Sequence, residues 1–272
     1  MRSTVAQMSG MSPAARAAAV VLPAMPRGLG DRRIAQTIYK RWLADSRRSP
    51  ITGRIGRAKL ELALDDWPQA QAYLLRRYDP STVGFIVDHL SDDGVFVEGG
   101  SHVGLIAMQV ASARPNAQVH SFEPHPVKFE SLRRNAQRNR ARVVLNNVGL
   151  SDAPGELAYD ADRHAVATGA SGMIHVTSLD HYLADHAVDR VDVMKLDIEG
   201  HELDALIGAR EALESGRIRA ITMESLHGDT SEPMAYLEEL GYTRVAMPDP
   251  RPRWLSSRRE MPIENVGYVF NG

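Results

Sequence analysis

From Gly94 onward the sequence alternates short apolar runs with stretches of helical periodicity, and no other feature restricts the fold as much. VFVE (95–98), QVHSFE (118–123), RVVLNNV (142–148), VDVMKLD (191–197) and IRAITMES (218–225) read as strands. VGLIAMQVASA (103–113), HPVKFESLRRNAQRN (125–139), TSLDHYLADH (177–186), HELDALIGAREALESG (201–216) and EPMAYLEELG (232–241) read as helices. SDAPG (151–155) marks a turn in a hairpin-prone stretch, and YTRVAM (242–247) and ENVGYVFN (264–271) supply the last strands. Continuously apolar strands separated by helices imply a mostly parallel sheet covered on both faces. Ligands of such sheets bind beyond the carboxyl ends of the strands, where the strand order reverses. A site is therefore expected at 98–104, 123–126, 147–152, 197–202 and 224–229.

Upstream of the alternation, DRRIAQTIYKRWLADSRR (31–48), PQAQAYLLRRYD (68–79) and STVGFIVDHLSDD (81–93) have helical spacing, the last with Ser81 as its cap. GRIGRAKLELALDD (53–66) suits a hairpin or an edge strand. AARAAAVVLPAMP (14–26) is too short to span a bilayer, and Arg16 and its closing prolines make it a poor signal peptide. It reads as a variable, mobile leader, and the chain as cytoplasmic with no stable membrane insertion. At 272 residues there is room for one large α/β domain, 51–272, behind a helical extension, 1–50. The formal net charge of -2 gives no reason, from bulk composition, to expect a nucleic-acid partner or an anionic membrane. The absence of cysteine excludes disulfides, thiolate metal sites and cysteine nucleophiles. The N-terminal helices either cap the domain or form a homodimer contact.

Gly99, Gly100 and Gly104 sit where the first strand of the alternation turns into a helix. Glycine permits positive φ and close approach of a ligand to the main chain. Glu123 ends the next strand, where an acid commonly takes a ribose hydroxyl pair; Pro124 then fixes the turn and Pro126 opens a helix. NAD and S-adenosylmethionine (SAM) proteins share that second acid and differ at the loop. A pyrophosphate asks for G-x-G-x-x-G at a helix N-terminus. The run Gly100-Ser101-His102-Val103-Gly104 does not fit that spacing, and Glu98 would set a negative charge against a diphosphate. A sulfonium amino acid carries positive charge that an acid favours, so the loop suits SAM better than NAD.

VFVEGGSHVGLIAMQVA, VHSFEPHPVKFESLRRN, VVLNNVGLSDAPGEL, VTSLDHYL and VDVMKLDIEGHELDALIGAREAL follow one another as in FkbM-type SAM-dependent methyltransferases, which the chain resembles over about 57–270. KLDIEGHELDALIGA is the most specific part of the likeness. The chain departs from the family pattern at Glu98, usually Asp, and at His102 and His125, usually Asn. The resemblance implies a Rossmann-like class I methyltransferase fold: a mostly parallel seven-stranded sheet whose last strand, ENVGYVFN, is antiparallel. It places Glu98, Gly99, Gly100, Ser101, His102 and Gly104 at the methionine end of SAM. Glu123 goes to the ribose with Pro124 and His125 beside it, and Asn147, Val148 and Asp152 go near the adenine. It also implies O-methylation of sugars, polysaccharides or polyketide-type products.

KLDIEGHE (195–202) packs Asp197, Glu199, His201 and Glu202 into one strand-to-helix turn. Acids there also suit a helix N-terminus. Asp197 ends an apolar strand, where a carboxylate needs a reason to be desolvated. A sugar hydroxyl is weakly acidic, so attack on a methyl group calls for a base or a metal. His201 and His227 are the imidazole candidates for the base. Asp197, Glu224 and His227 together resemble the oxygen-rich ligand set of Mg²⁺-dependent O-methyltransferases. The loop MPDPRPRWLSSRREMP (247–262), with Trp254 and Arg251, Arg253, Arg258 and Arg259, is expected beside the acceptor together with the N-terminal helices. The acceptor expected is a small molecule or an oligosaccharide, mannosides among them. The alternatives are a polyketide or lipid hydroxyl, a SAM- or nucleotide-binding module without catalysis, and an NAD oxidoreductase.

Overall fold

A computed structural model describes residues 12–44, 50–160, 165–166, 172–224, 232–249, 251 and 265–271. Helices α1 (Pro13–Val21) and α2 (Asp31–Trp42) come first, then the antiparallel hairpin β1 (Ile51–Ile55) and β2 (Ala58–Leu62), and helices α3 (Trp67–Leu75) and α4 (Pro80–His89). The alternation follows as β3 (Val95–Gly99), α5 (Ala107–Ala113), β4 (Gln118–Phe122), α6 (Pro126–Asn139) and β5 (Val143–Asn146). A small sheet intervenes, built from β6 (Gly149–Leu150), β7 (Gly155–Asp160), β8 (Ala165–Val166) and β9 (Gly172–Thr177). The chain continues with α7 (Leu179–Asp185), β10 (Val191–Leu196), α8 (Glu202–Ile207), α9 (Arg210–Glu214) and β11 (Ile218–Glu224). It closes with α10 (Glu232–Glu239), β12 (Tyr242–Val245) and β13 (Asn265–Phe270).

The large sheet has seven strands in the order β12-β13-β11-β10-β3-β4-β5. All pairings from β11 to β5 are parallel, and β13 runs antiparallel to both β11 and β12. This is the mostly parallel seven-stranded sheet with an antiparallel last strand expected from the sequence. The order reverses between β3 and β10, so the crevice falls between Glu98-Gly99 and Leu196-Asp197. Period-two alternation feeds two cores. Phe96, Val119, Val193 and Ala220 face the layer built from α1–α6 and the hairpin. Val97, Phe122, Met194 and Ile221 face α7–α10. All six residues of β10 are buried, which is why the strand is mostly apolar, with Asp192 and Lys195 as its buried charged residues.

Four expectations change. Residues 13–21, read as a mobile leader, form a helix capped by Ser12, whose Oγ accepts from Ala15 N–H; Ala15 and Ala19 are buried against the following helices. The helix read as 81–93 begins at Pro80, and its cap is Asp79, whose Oδ1 accepts from Thr82 N–H (3.1 Å). Ser81 Oγ donates instead to Pro248 O (2.7 Å). The helix after the glycine loop starts at Ala107 because His102 and Gly104 hold positive φ (+52° and +87°) and 102–106 are wound into turns.

The helix read as 201–216 is broken into α8 and α9. Gly208 lies so close to another segment that a Cβ there would stand 1.9 Å from Ser151 O. Asp180 then captures the free ends: its N–H donates to Gly208 O (2.9 Å), and its carboxylate accepts from the Glu211 and Ala212 N–H groups (2.8 and 2.9 Å). A cap supplied from α7 outcompetes helix continuation.

Candidate active site

The glycine loop is held from both sides. The N–H groups of Gly100 and Ser101 both donate to Phe122 O (3.0 Å each), tying the loop to the end of β4. On the other side a Cβ at Gly100 (φ +78°) would lie 1.9 Å from Asp197 O, so the main chain passes directly against the end of β10. His102 N–H then donates to Glu123 Oε2 (2.7 Å), and His125 N–H donates to Oε1 of the same carboxylate (2.9 Å). Glu123 is buried, which pushes its acid above the ordinary range while these two bonds pull it back. Each oxygen keeps a second lone pair, so the carboxylate can still accept a pair of hydroxyls. Asn147 supports it from behind, donating to Glu123 O and Pro124 O (2.8 and 3.0 Å).

These groups border a cavity of about 310 Å³ at the carboxyl ends of the strands. Glu98, Gly100, Ser101, His102, Glu123 and Pro124 line it from the loop side. Leu150, Tyr159, Ile174 and Val176 give it an apolar wall from the small sheet, which suits an aromatic base. Trp67, Gln71 and Tyr78, with Arg32 of α2, close it from the N-terminal layer.

At the back of the cavity Lys195 is buried with its Nζ 3.1 Å from Asp197 Oδ2 and 3.9 Å from Glu98 Oε1. Burial would push this ammonium towards neutrality, but Asp197 and Glu98 more than offset that and hold it charged. Glu98 is 1% exposed, and among the described residues its Oε2 has no hydrogen-bond partner. Burial pushes its acid up to about 7, with Lys195 limiting the rise. A buried acceptor atom left open at the wall of a cavity is the partner a ligand ammonium or sulfonium requires. The donor set fits SAM.

Asp197, Glu199, His201 and Glu224 line the opposite rim. Glu224 is half-buried, and its acid is pushed up to about 7 by burial first and then by Asp197, Glu199 and Glu202. Glu199 sits at φ +57° and is raised by burial and by the same neighbours. Asp197 is held by Lys195, whereas His201 has both ring nitrogens engaged: Nε2 with Ser151 Oγ (3.0 Å) and Nδ1 with Asp204 (2.9 Å). Glu202 Oε1 accepts from Ile198 N–H (3.1 Å) and closes the turn. Among the described residues no three His, Asp or Glu side chains are placed to share a metal ion.

Glu98, Gly100, Ser101, His102, Glu123, Pro124, Asp197, His201 and Glu224 therefore meet in one cavity, as the strand ends foretold. Gly99 and Gly104 shape the loop behind the wall. His125 caps α6, its Nδ1 accepting from Val127 N–H (3.2 Å). Asn147, Val148 and Asp152, expected near an adenine, do not reach the cavity lining. Val148 packs into the core, and Asp152 is exposed and accepts from Ser151 Oγ (3.0 Å). Gly149 and Leu150 stand there instead. His227, Arg253, Trp254, Arg258 and Arg259 lie outside the described residues; Arg251 pairs with Asp249 (2.8 Å). Lys195 was missed, although a lone lysine inside an apolar strand next to Asp197 is a signal for a buried ion pair. Tyr159, Ile174 and Val176 carried no signal, because their role depends on how the small sheet folds back.

Residues 99–244 match the family described as the methyltransferase FkbM domain. Hexuronic acid methyltransferase AglP of Haloferax volcanii is 30% identical over 145 residues, 51% of this chain and 59% of that protein. The 31-O-demethyl-FK506 methyltransferase FkbM of Streptomyces tacrolimicus is 26% identical over 196 residues, 57% of this chain and 75% of its own. The 2-O-methyltransferase NoeI of Sinorhizobium fredii is 26% identical over 149 residues, 46% of this chain and 61% of its own. The chain thus spans less than two thirds of the length of two of these three relatives.

Proposed function

This chain belongs to the FkbM methyltransferase family, and from that premise we propose that it uses SAM to methylate a hydroxyl of a carbohydrate. When bound, SAM supplies an electrophilic methyl group on a positively charged sulfur. Glu98 would face that positive end, Glu123 would take the ribose hydroxyls, and the Leu150–Tyr159–Ile174–Val176 wall would cover the adenine. Lys195 holds Asp197 at the rim, where it can accept a hydrogen bond from the acceptor and orient it. Glu224 takes the hydroxyl proton: an acid poised near neutrality balances availability of the base against its strength.

The observation that carries this reading is the pairing in one cavity of an open, buried Glu98 oxygen with a second carboxylate, Glu224, whose acid is likewise raised to about 7. The mixed lining, with Arg32, Gln71 and the aromatic Trp67, supports a hydroxylated acceptor over a wide apolar one. The relatives named for sugar and for 2-O-methylation point the same way, while the FK506 relative supports the alternative of a polyketide-type hydroxyl. Assistance by Mg²⁺ through Asp197, Glu224 and His227 is the alternative to a carboxylate base.

The test begins with calorimetric titration by S-adenosylhomocysteine, NAD⁺ serving as control. Transfer of labelled methyl from SAM to a panel of glycosides and macrolide alcohols then follows, with EDTA or with Mg²⁺. One-site binding of the first ligand alone and EDTA-resistant transfer to glycosides are expected. Loss of transfer in EDTA with rescue by Mg²⁺ would replace the carboxylate base by a metal. Full activity in Asp197→Ala would remove that residue from the acceptor site.

A further inference from the structure

The outer surface of the N-terminal layer takes no part in the cavity chemistry, and its composition is unlike that of a solvated face. From residue 13 to residue 29 every exposed position carries Pro, Ala, Val, Gly or Leu. Val20 is 71% exposed, Val21 60% and Leu29 44%. Single exposed apolar residues are ordinary, but a run of exposed positions that are all apolar, interrupted only by the half-buried Arg16 and Arg27, marks a binding surface. The next helix, α2, changes character. Ile34 (43% exposed) and Arg41 share one side, seven residues apart, with Arg33 and Lys40 flanking them and Trp42 at the end.

Charge selects the occupant. Between residues 12 and 44 the sequence holds Arg16, Arg27, Arg32, Arg33, Lys40 and Arg41 against Asp31 alone, a net charge of +5 in a chain whose total is -2. A second copy of the chain seated on this face would set +5 against +5. An anionic lipid surface is complementary to it: apolar side chains enter the headgroup region, and lysine and arginine stay among the phosphates. Tryptophan favours the same boundary. No described helix is long and apolar enough to cross a membrane, so the contact would be peripheral.

We infer that α1, the turn after it and the outer side of α2 form a docking surface for anionic membranes. Arg32, in the first turn of α2, also lines the cavity, so a docked molecule holds the cavity beside the lipid surface.

The experiment is flotation of the full-length protein with vesicles of phosphatidylcholine alone or containing about one-third phosphatidylglycerol. It is run at low and at high salt, with sedimentation velocity alongside. The protein is expected to float with the anionic vesicles and to be released by salt. Each basic side chain near such a surface strengthens binding by roughly fivefold, so the triple change Arg33→Glu, Lys40→Glu and Arg41→Glu should weaken it at least about tenfold. The pair Val20→Asp and Val21→Asp should do the same. Both variants should still bind S-adenosylhomocysteine as the parent does, which shows that the fold is kept. No flotation at low salt, or equal binding to neutral vesicles, overturns the inference. So does a dimer that Val20→Asp dissociates, since a second copy would then cover the face. Binding that appears only after deletion of residues 1–11 would assign the face to that segment.

Discussion

Replacing Glu98 by Gln keeps its size and removes both its charge and its titration. In the parent chain the Glu98 acid stands at about 7 instead of 4.5, because burial outweighs the ammonium of Lys195 3.9 Å away. A folded-state value above the unfolded one means that this group's stabilisation is complete below about 4.5. It is lost as pH rises through about 7. A ligand ammonium or sulfonium favours the ionised form, so binding must pull the proton off and grow stronger as pH rises through about 7. Returning the acid from about 7 to its ordinary value of 4.5 corresponds to about 3–4 kcal/mol, or roughly three-hundredfold in affinity. Calorimetric titration with S-adenosylhomocysteine should show Kd weakening towards roughly tenfold per pH unit below 7, with a proton released on binding. Repeating the titration in buffers of different ionisation enthalpy counts that proton. Glu98→Gln should bind at least about tenfold more weakly at high pH and show a flat profile. An unchanged slope in the variant, or a parent Kd that does not vary with pH, would refute the placement of Glu98 against the cationic end of the cofactor.

Gly100→Ala meets the Asp197 carbonyl and an unfavourable φ together, and should cost about 3 kcal/mol or more in urea unfolding. Gly155→Ala, with open space around it, should stay within about 0.5 kcal/mol. Glu224→Gln should lower kcat by about a hundredfold and erase the limb near pH 7 in its profile, leaving S-adenosylhomocysteine affinity as it was; a retained limb would assign the base elsewhere. Asn135, fully buried, accepts from Glu61 N–H (2.7 Å) and donates to Glu61 O and Val103 O (3.2 and 2.9 Å), pinning the hairpin to the loop helix. Asn135→Leu should therefore lose about 2–4 kcal/mol in the same urea assay, and a neutral result would mean that the hairpin is held by apolar packing alone.

The sheet was legible because its cause is local. A strand buried on both faces is mostly apolar, and 95–98, 118–123, 191–197 and 218–225 show it despite His120, Ser121, Asp192, Lys195, Arg219 and Thr222 within them. The glycines with Glu98, and Glu123 one strand later, fixed where the crevice would open, since a sharp strand-to-helix turn and a buried acid both need particular residue types. Other features have distant causes. The helix across 201–216 is continuous by propensity, yet Asp180 from α7 and the carbonyl of Ser151 break it at Gly208. Asp79 rather than Ser81 caps α4, and the alanine-rich leader becomes a packed helix because small side chains let it approach its neighbours. The apolar cavity wall of Tyr159, Ile174 and Val176 exists only when the small sheet folds back over the strand ends. The raised acids of Glu98 and Glu224 likewise belong to no motif. Sequence determined which carboxyls stand at the strand ends. Tertiary structure decided which of them lose water and which gain Lys195, because desolvation and Coulomb attraction depend on distance in space and not on spacing along the chain.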